Sequence, residues 1–167
     1  MSLFVFSQIL AACTLAIGMA AFQFRERRHI LRGWFLAALF AAAHFLLLGN
    51  IEAAMLVTIT ALRFLVSSFT TRSWLMYLFL GLTLAGFAVT YDSPVSLLAL
   101  AATIIGTIGS FRQNETAIRF AMMTTEVLWA IHNIIVWSPV AIAMELLFFA
   151  SNLLGYLRHR STSESAL

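Results

Sequence analysis

Long apolar runs, separated only by short polar or basic segments, are the feature that most constrains how this chain of 167 residues folds. Apolar residues make up 62% of the sequence and charged residues only 10%, against about 45–50% and about 25% in an ordinary soluble domain. A small fold leaves much of its surface exposed, so water alone cannot solvate this composition. We therefore expect the lipid bilayer as the partner. No nucleic-acid partner is expected, because the net charge is only +3.

The runs predict an all-α integral membrane protein with seven transmembrane helices. Each run approaches the roughly 20 residues that a spanning helix needs, and turn pairs, proline or arginine separate one run from the next. Pro94 and Pro139 suit the first turns of the fifth and seventh helices. The predicted spans are Leu3–Phe24, Ile30–Leu48, Ile51–Thr71, Trp74–Thr90, Pro94–Ser110, Thr116–Val136 and Pro139–Tyr156, followed by a disordered tail from Arg158 to Leu167.

The arginines predict the orientation of the chain in the membrane. Cytoplasmic loops of membrane proteins carry an excess of basic residues. The opposite loops carry only Glu52 and Asp92, which predicts an external N-terminus and a cytoplasmic C-terminus. Nine arginines fall on the side that this rule makes cytoplasmic, namely Arg25, Arg27, Arg28, Arg32, Arg72, Arg112, Arg119, Arg158 and Arg160.

An internal repeat is predicted when the chain is compared with itself at an offset of 132 − 44 = 88 residues. This offset places His44 on His132 and Gly18 on Gly106, and it aligns the turn after the second span with the turn after the sixth. One span separates the two halves, so both have the same orientation, as in some transporters. The predicted organisation is 3+1+3: a three-helix bundle (1–72), a linker helix (73–92), a second bundle (93–160) and the tail (161–167).

Several short strings resemble the YgjV-type family of bacterial inner-membrane proteins. They are His44-Phe-Leu-Leu-Leu-Gly49, Thr60-Ala-Leu-Arg63 and Trp129-Ala-Ile-His-Asn133, together with Glu145 and Asn152. The resemblance covers nearly the whole chain and implies a location in the bacterial inner membrane. The family is grouped with the MtN3-like superfamily, which includes SWEET sugar transporters, PQ-loop proteins and KDEL receptors. This grouping implies a SWEET-like fold.

The same resemblance implies a binding site. SWEET proteins pair an asparagine on spans three and seven with a tryptophan on spans two and six. This chain offers Asn152 and Trp129 in its second half, but only Thr60 and no tryptophan in its first. The Pro-Gln pair and the helix prolines of the relatives are absent, so Gly18 and Gly106 are the candidate hinges.

Three charged residues fall inside predicted spans, where each is a functional candidate by default. They are Arg63 on span three, Glu126 on span six and Glu145 on span seven. Arg63 with either glutamate would make a buried ion pair, and Glu145 is the partner the family resemblance favours. Such a pair is either a structural clamp between bundles or part of a substrate or proton site.

Other polar residues within the spans carry two interpretations each. Glu126, Trp129 and Asn133 share one helix face, which suits either a small polar ligand or a contact between helices. His44 and His132 lie near the outer membrane surface, where they either gate and sense pH or hydrogen-bond to a neighbouring helix.

The leading functional hypothesis is a small-solute transporter that works by alternating access around a midplane site, with a sugar among the candidate solutes. The alternatives are a ligand-binding receptor or sensor, and a structural membrane subunit. We expect no enzyme activity, cofactor or metal, because the sequence shows no nucleophile–base pair, phosphate loop or third metal ligand. Cys13 is the single cysteine and excludes an intrachain disulfide. Self-association into a homo-oligomer stays open.

Overall fold

The computed structural model describes residues 3–91 and 93–164, and the described residues form seven α-helices and no strand. The prediction of seven helices is thus confirmed. The acidic residue Asp92 and the end of the predicted tail, 165–167, lie outside the described residues, as do the side chains of Glu52 and Arg160. The helices are α1 (Leu3–Ala21), α2 (Arg27–Leu47), α3 (Ile51–Phe69), α4 (Ser73–Thr90), α5 (Ser96–Ser110), α6 (Glu115–Ile135) and α7 (Pro139–Glu164).

Length and apolar composition allow three of these helices to cross a membrane: α1, α2 and the Pro139–His159 part of α7. Three shorter segments in the described chain are also apolar, Ala53–Phe69, Ser73–Val89 and Ser96–Ser110. Helix α6 carries three charged residues, Glu115, Arg119 and Glu126. It carries more of the candidate polar residues than any other helix.

The ends of the helices differ from the predicted spans in two places. Helix α7 extends to Glu164, past Tyr156, so the described part of the predicted disordered tail is helical. The segment after Tyr156 contains neither glycine nor proline, so nothing in it stops a helix. Helix α5 begins at Ser96, because Pro94 lies in a preceding turn in which Ser96 N donates to Ser93 O at 2.9 Å.

The chain divides into two compact units, one ending at Phe69 and the other beginning at Thr70. In the first unit, α2 packs against both α1 and α3. The start of α2 is tied to the end of α3, since Arg27 donates to Ser67 O and the Arg32 guanidinium lies 5.0 Å from the centre of the Phe69 ring. Helix α1 approaches α2 closely at Gly33, where a Cβ atom would lie 2.5 Å from Ala21 Cβ.

The second unit contains α4 to α7, with α6 packed against both α5 and α7, and α4 packed against α5. Asn114 caps α6 by accepting a hydrogen bond from Thr116 N at 2.8 Å, as expected of an asparagine N-cap. Helices α5 and α6 approach closely at Gly109, where a Cβ atom would overlap Ala121 Cβ.

The internal geometry of α1–α3 and α5–α7 corresponds at the offset of 88 residues. Helices α2 and α6 begin and end at matching positions (115 − 27 = 88 and 135 − 47 = 88), and α3 and α7 begin at matching positions (139 − 51 = 88). The turns after α2 and α6 also match, since Gly49 and Trp137 both have positive φ, 76° and 56°. Each turn is closed by the same main-chain bond, Asn50 N to Phe45 O and Ser138 N to Asn133 O.

Candidate functional site

A buried polar cluster in the second unit is centred on Asn152. This side chain is 0% exposed on α7, and its Nδ2 donates to the main-chain oxygen of Arg119 on α6 at 3.0 Å. A buried amide needs such a partner, because leaving a polar group unsatisfied away from water costs about 1–3 kcal/mol. The bond therefore joins α7 to α6 within the second unit.

Arg119 is a buried residue rather than a residue of a basic membrane flank. Its side chain is 0% exposed, and its Nε donates to Glu115 Oε1 at 3.2 Å, one helical turn earlier. The sequence predicted Arg119 only as an orientation signal, and its pairing with Glu115 was not predicted. The spacing of four residues between an acid and an arginine on one helix could have indicated the pair.

Glu126 lies at the centre of the cluster. It is only 5% exposed, and its carboxyl group lies beside the Asn152 side chain and within electrostatic range of Glu145 on α7, which is half-buried. Among the described residues, neither carboxylate oxygen of Glu126 has a hydrogen-bond partner, and the nearby Asn152 amide does not reach it with hydrogen-bond geometry. Asn152 Oδ1 is also without a donor. The structure thus brings together three of the predicted residues.

Three further predicted residues lie towards the C-terminal end of α6. Asn133 is buried, and its Oδ1 lies 3.5 Å from Nδ1 of His132. Trp129 is half-buried and makes an edge-to-face contact with the His132 ring, at 5.3 Å between ring centres. No hydrogen bond or ring contact joins Trp129 to Asn152 in the described part of the chain.

The remaining predicted residues lie in the first unit or in α5. His44 Nδ1 donates to Ser7 O of α1 at 2.8 Å, the neighbouring-helix bond that was one of its two interpretations. Thr60 is half-buried on α3, while Arg63 is 7% exposed and its guanidinium lies 4.7 Å from the centre of the Phe64 ring. The two candidate hinges, Gly18 and Gly106, are buried within unbroken helices.

The predicted ion pair stays a prediction. Arg63 lies in the first unit, whereas both candidate partners, Glu126 and Glu145, lie in the second. The described residues contain no group of three or more histidine, cysteine, aspartate or glutamate side chains placed to hold a metal ion.

Three helices long and apolar enough to cross a membrane, with Arg63, Arg119 and Glu126 buried in the fold, fit a helical membrane protein, since a helix satisfies its own backbone in lipid. The family model Imp-YgjV, described as a bacterial inner membrane protein, matches residues 5–163, so the chain belongs to this family. It is similar to the inner membrane protein YgjV of Escherichia coli (strain K12), with 27% identity over 158 residues that cover 95% of this chain and 86% of the relative. No solved structure matches the chain.

Proposed function

We propose that this inner-membrane protein is a small-solute transporter with SWEET-like 3+1+3 architecture. In this proposal α1–α3 and α5–α7 are two parallel repeats joined by α4. They rock around a midplane site, and the second repeat supplies most of the polar contacts. Parallel repeats with the same membrane orientation are one of the established plans of transporters, SWEET proteins among them.

The match between the two sets of three helices is the observation that carries this proposal. One contact between helices occurs at matching positions with the threonine on the opposite helix: Thr14 Oγ1 lies 3.3 Å from Ala37 O in the first set, and Thr125 Oγ1 lies 3.2 Å from Ala102 O in the second. Each hydroxyl is also within hydrogen-bond distance of the main-chain oxygen four residues earlier in its own helix. Positions 14 and 37 correspond to 102 and 125 at the offset of 88 residues. A frame shared down to single hydrogen bonds supports two repeats, and a single linker helix between them supports their parallel orientation.

The polar cluster around Asn152 supports a small polar solute as the cargo. An amide provides a donor and an acceptor, and Trp129 provides a flat apolar face of the kind that binds sugar rings and similar solutes. Asn133 and Glu126 extend the polar face of α6, and Thr60 is the residue the first repeat would contribute.

The Asn152→Ala variant tests transport directly. In proteoliposomes with a panel of labelled monosaccharides, disaccharides and amino acids, we expect uptake of the transported solute to fall to background. The free energy of unfolding should fall by only about 0.6 kcal/mol, the average for a side-chain hydrogen bond within a membrane.

Thr125→Val is the matched control for this variant, because it also removes a bond from a side chain to the main chain of a neighbouring helix in the same unit. It should retain uptake. Equal losses of uptake in both variants, in proportion to folded protein, would instead favour a structural subunit.

The orientation is part of the same proposal, with the N-terminus outside and the C-terminus in the cytoplasm. Reporter fusions at Asp92 should be external and fusions after Arg160 cytoplasmic. The opposite pattern would exclude the proposed orientation. It would also exclude the assignment of the arginine-rich segments to the cytoplasmic side.

A receptor or sensor is the second candidate, favoured by the difference between the two repeats. The positions that correspond to Glu126 and Asn152 are Ala38 and Phe64, both buried and apolar. A site built in one half suits a protein that binds a ligand without passing it on. Saturable binding of a solute by the purified protein, without uptake of that solute into proteoliposomes, would select this candidate.

A further inference from the structure

We propose that Glu126, Glu145 and Asn152 form a binding site for one exchangeable proton in the second unit. The proposal goes beyond the transport function, and its test needs no transported solute.

The first step is an imbalance between donors and acceptors. Both oxygens of Glu126 and Oδ1 of Asn152 are acceptors without a hydrogen-bond partner among the described residues, on side chains that are 5% and 0% exposed. Glu145 adds a second carboxyl group within electrostatic range. Buried polar atoms are nearly always partnered in native proteins, so a cluster of acceptors alone indicates that a donor binds there.

The second step is that, within the second unit, the described side chains near the cluster leave these acceptors without a donor. Helix α5 contains no titratable side chain. On α6, Arg119 donates its Nε to Glu115 and is not hydrogen-bonded to either oxygen of Glu126, and His132 lies beside Asn133, six residues beyond Glu126. On α7, the titratable group facing Glu126 is Glu145. Asn152 donates one amide hydrogen to the main-chain oxygen of Arg119, and its second amide hydrogen does not meet either oxygen of Glu126 with hydrogen-bond geometry.

The third step is the size of the ligand. In this conformation Asn152 is closed to water and Glu126 nearly so, so the species held between them here is smaller than a solute or a hydrated ion. A proton taken up from water by one carboxyl group turns an acceptor into an O–H donor. When Glu126 takes up the proton, its O–H can be accepted by Asn152 Oδ1, which lies beside it. Uptake of the proton also relieves the repulsion between the two carboxyl groups, because only one of them then carries charge.

The infrared spectrum of the purified full-length protein in lipid tests the proposal. The wild type should show the carbonyl stretch of a protonated carboxyl group, which shifts in D2O and disappears as the pH is raised. Glu126→Gln should remove this band, and Glu145→Gln should move its pH midpoint. Glu26→Gln is the matched control, since Glu26 lies exposed before α2, and it should leave the band unchanged.

The thermal stability of the same variants gives a second measurement. A glutamine side chain resembles a protonated glutamate, so Glu126→Gln should fold and melt within a few degrees of the wild type. Persistence of the band in both variants would overturn the proposal. Collapse of the Glu126→Gln fold would overturn it too, because that result requires an ionised carboxylate. A band that responds to added Na+ at constant pH would identify a sodium site and equally overturn it.

Discussion

The two three-helix sets, α1–α3 and α5–α7, have matching helix positions and turns but different side chains between their helices. In the first set, Phe22 and Phe64 pack against Trp34, with ring centres 5.2 Å and 6.0 Å from the Trp34 ring. The residues at the corresponding positions of the second set, 88 further along, are Ser110, Met122 and Asn152, all of them buried. Where one set has an aromatic cluster, the other has a serine, a flexible apolar side chain and an amide.

The residues that set the distances between the helices are therefore distinct from the residues that carry polar or charged groups. Small residues and main-chain turns recur in both sets, and they set the distances between helices. The residues that fill the space between those helices differ. Leu31, fully buried in the first set, corresponds to the fully buried Arg119 in the second. The same helix arrangement therefore accepts either apolar or polar side chains between its helices. One set can then be an apolar packing unit while the other carries a binding site.

Removing the charge of Arg63 from the first set of helices should have the largest effect on the free energy of unfolding. Arg63→Ala would strand its predicted partner, Glu145, as an unpaired charge, at a cost of about 3–5 kcal/mol in the free energy of unfolding. The double variant Arg63→Ala/Glu145→Ala should recover part of this loss. Denaturation of the purified variants in detergent measures both.

Arg25→Ala is the control for this prediction, because Arg25 is exposed and its loss should change stability little. A double variant as unstable as, or less stable than, Arg63→Ala alone would argue against the pair.

Substitutions at the close helix approaches of Gly33 and Gly109 should give the next largest effect on stability. They test whether the two sets share the same helix arrangement. Gly33→Ala and Gly109→Ala each place a Cβ on top of an alanine Cβ, and overpacking of this kind costs about 1–3 kcal/mol. The glycine and alanine are exchanged between the sets, since Gly33 corresponds to Ala121 and Ala21 to Gly109. Exchanging them within one set should therefore restore stability.

The restoration should be graded. In Gly109→Ala/Ala121→Gly the new Cβ would lie 3.7 Å from the nearest remaining atom, an ordinary contact, whereas in Gly33→Ala/Ala21→Gly it would lie 3.1 Å from the Cα of residue 21. Thermal melting should show full recovery in the first pair and partial recovery in the second. Gly81→Ala, with no atom within 4 Å of its Cβ position, is the control. If Gly81→Ala and Gly109→Ala melted at the same temperature, the close approach of α5 and α6 at Gly109 would not limit stability.

The reversed threonine bonds should give the smallest effect. Thr14→Val and Thr125→Val should each lower the free energy of unfolding by about 0.6 kcal/mol, and by similar amounts, because the bonds occupy matching positions. Thr124→Val is the control beside Thr125: its hydroxyl is exposed and bonds only within its own helix, to Phe120 O. A large difference between the stability losses of the two variants would show that the two hydrogen bonds differ in energy although their positions match.

The sequence predicted the helices well because apolar runs and turn residues are local signals. It placed the turn at Gly49 and Asn50, and the start of α7 at Pro139, where the structure has them. It misjudged Arg119, since a count of arginines does not distinguish a loop residue from one buried by a neighbouring helix. The contact of Glu126 with Asn152 also depends on the rotation of α7 against α6, which no local pattern specifies.

The boundary between the units at Phe69 has a consequence for synthesis. All helix–helix packing of the first unit lies within the first 69 residues, and chains generally fold from the N-terminal end as they emerge from the ribosome. The aromatic cluster can therefore assemble in the membrane before the second unit is complete. The half that carries the buried acids is made last, after the first unit has emerged.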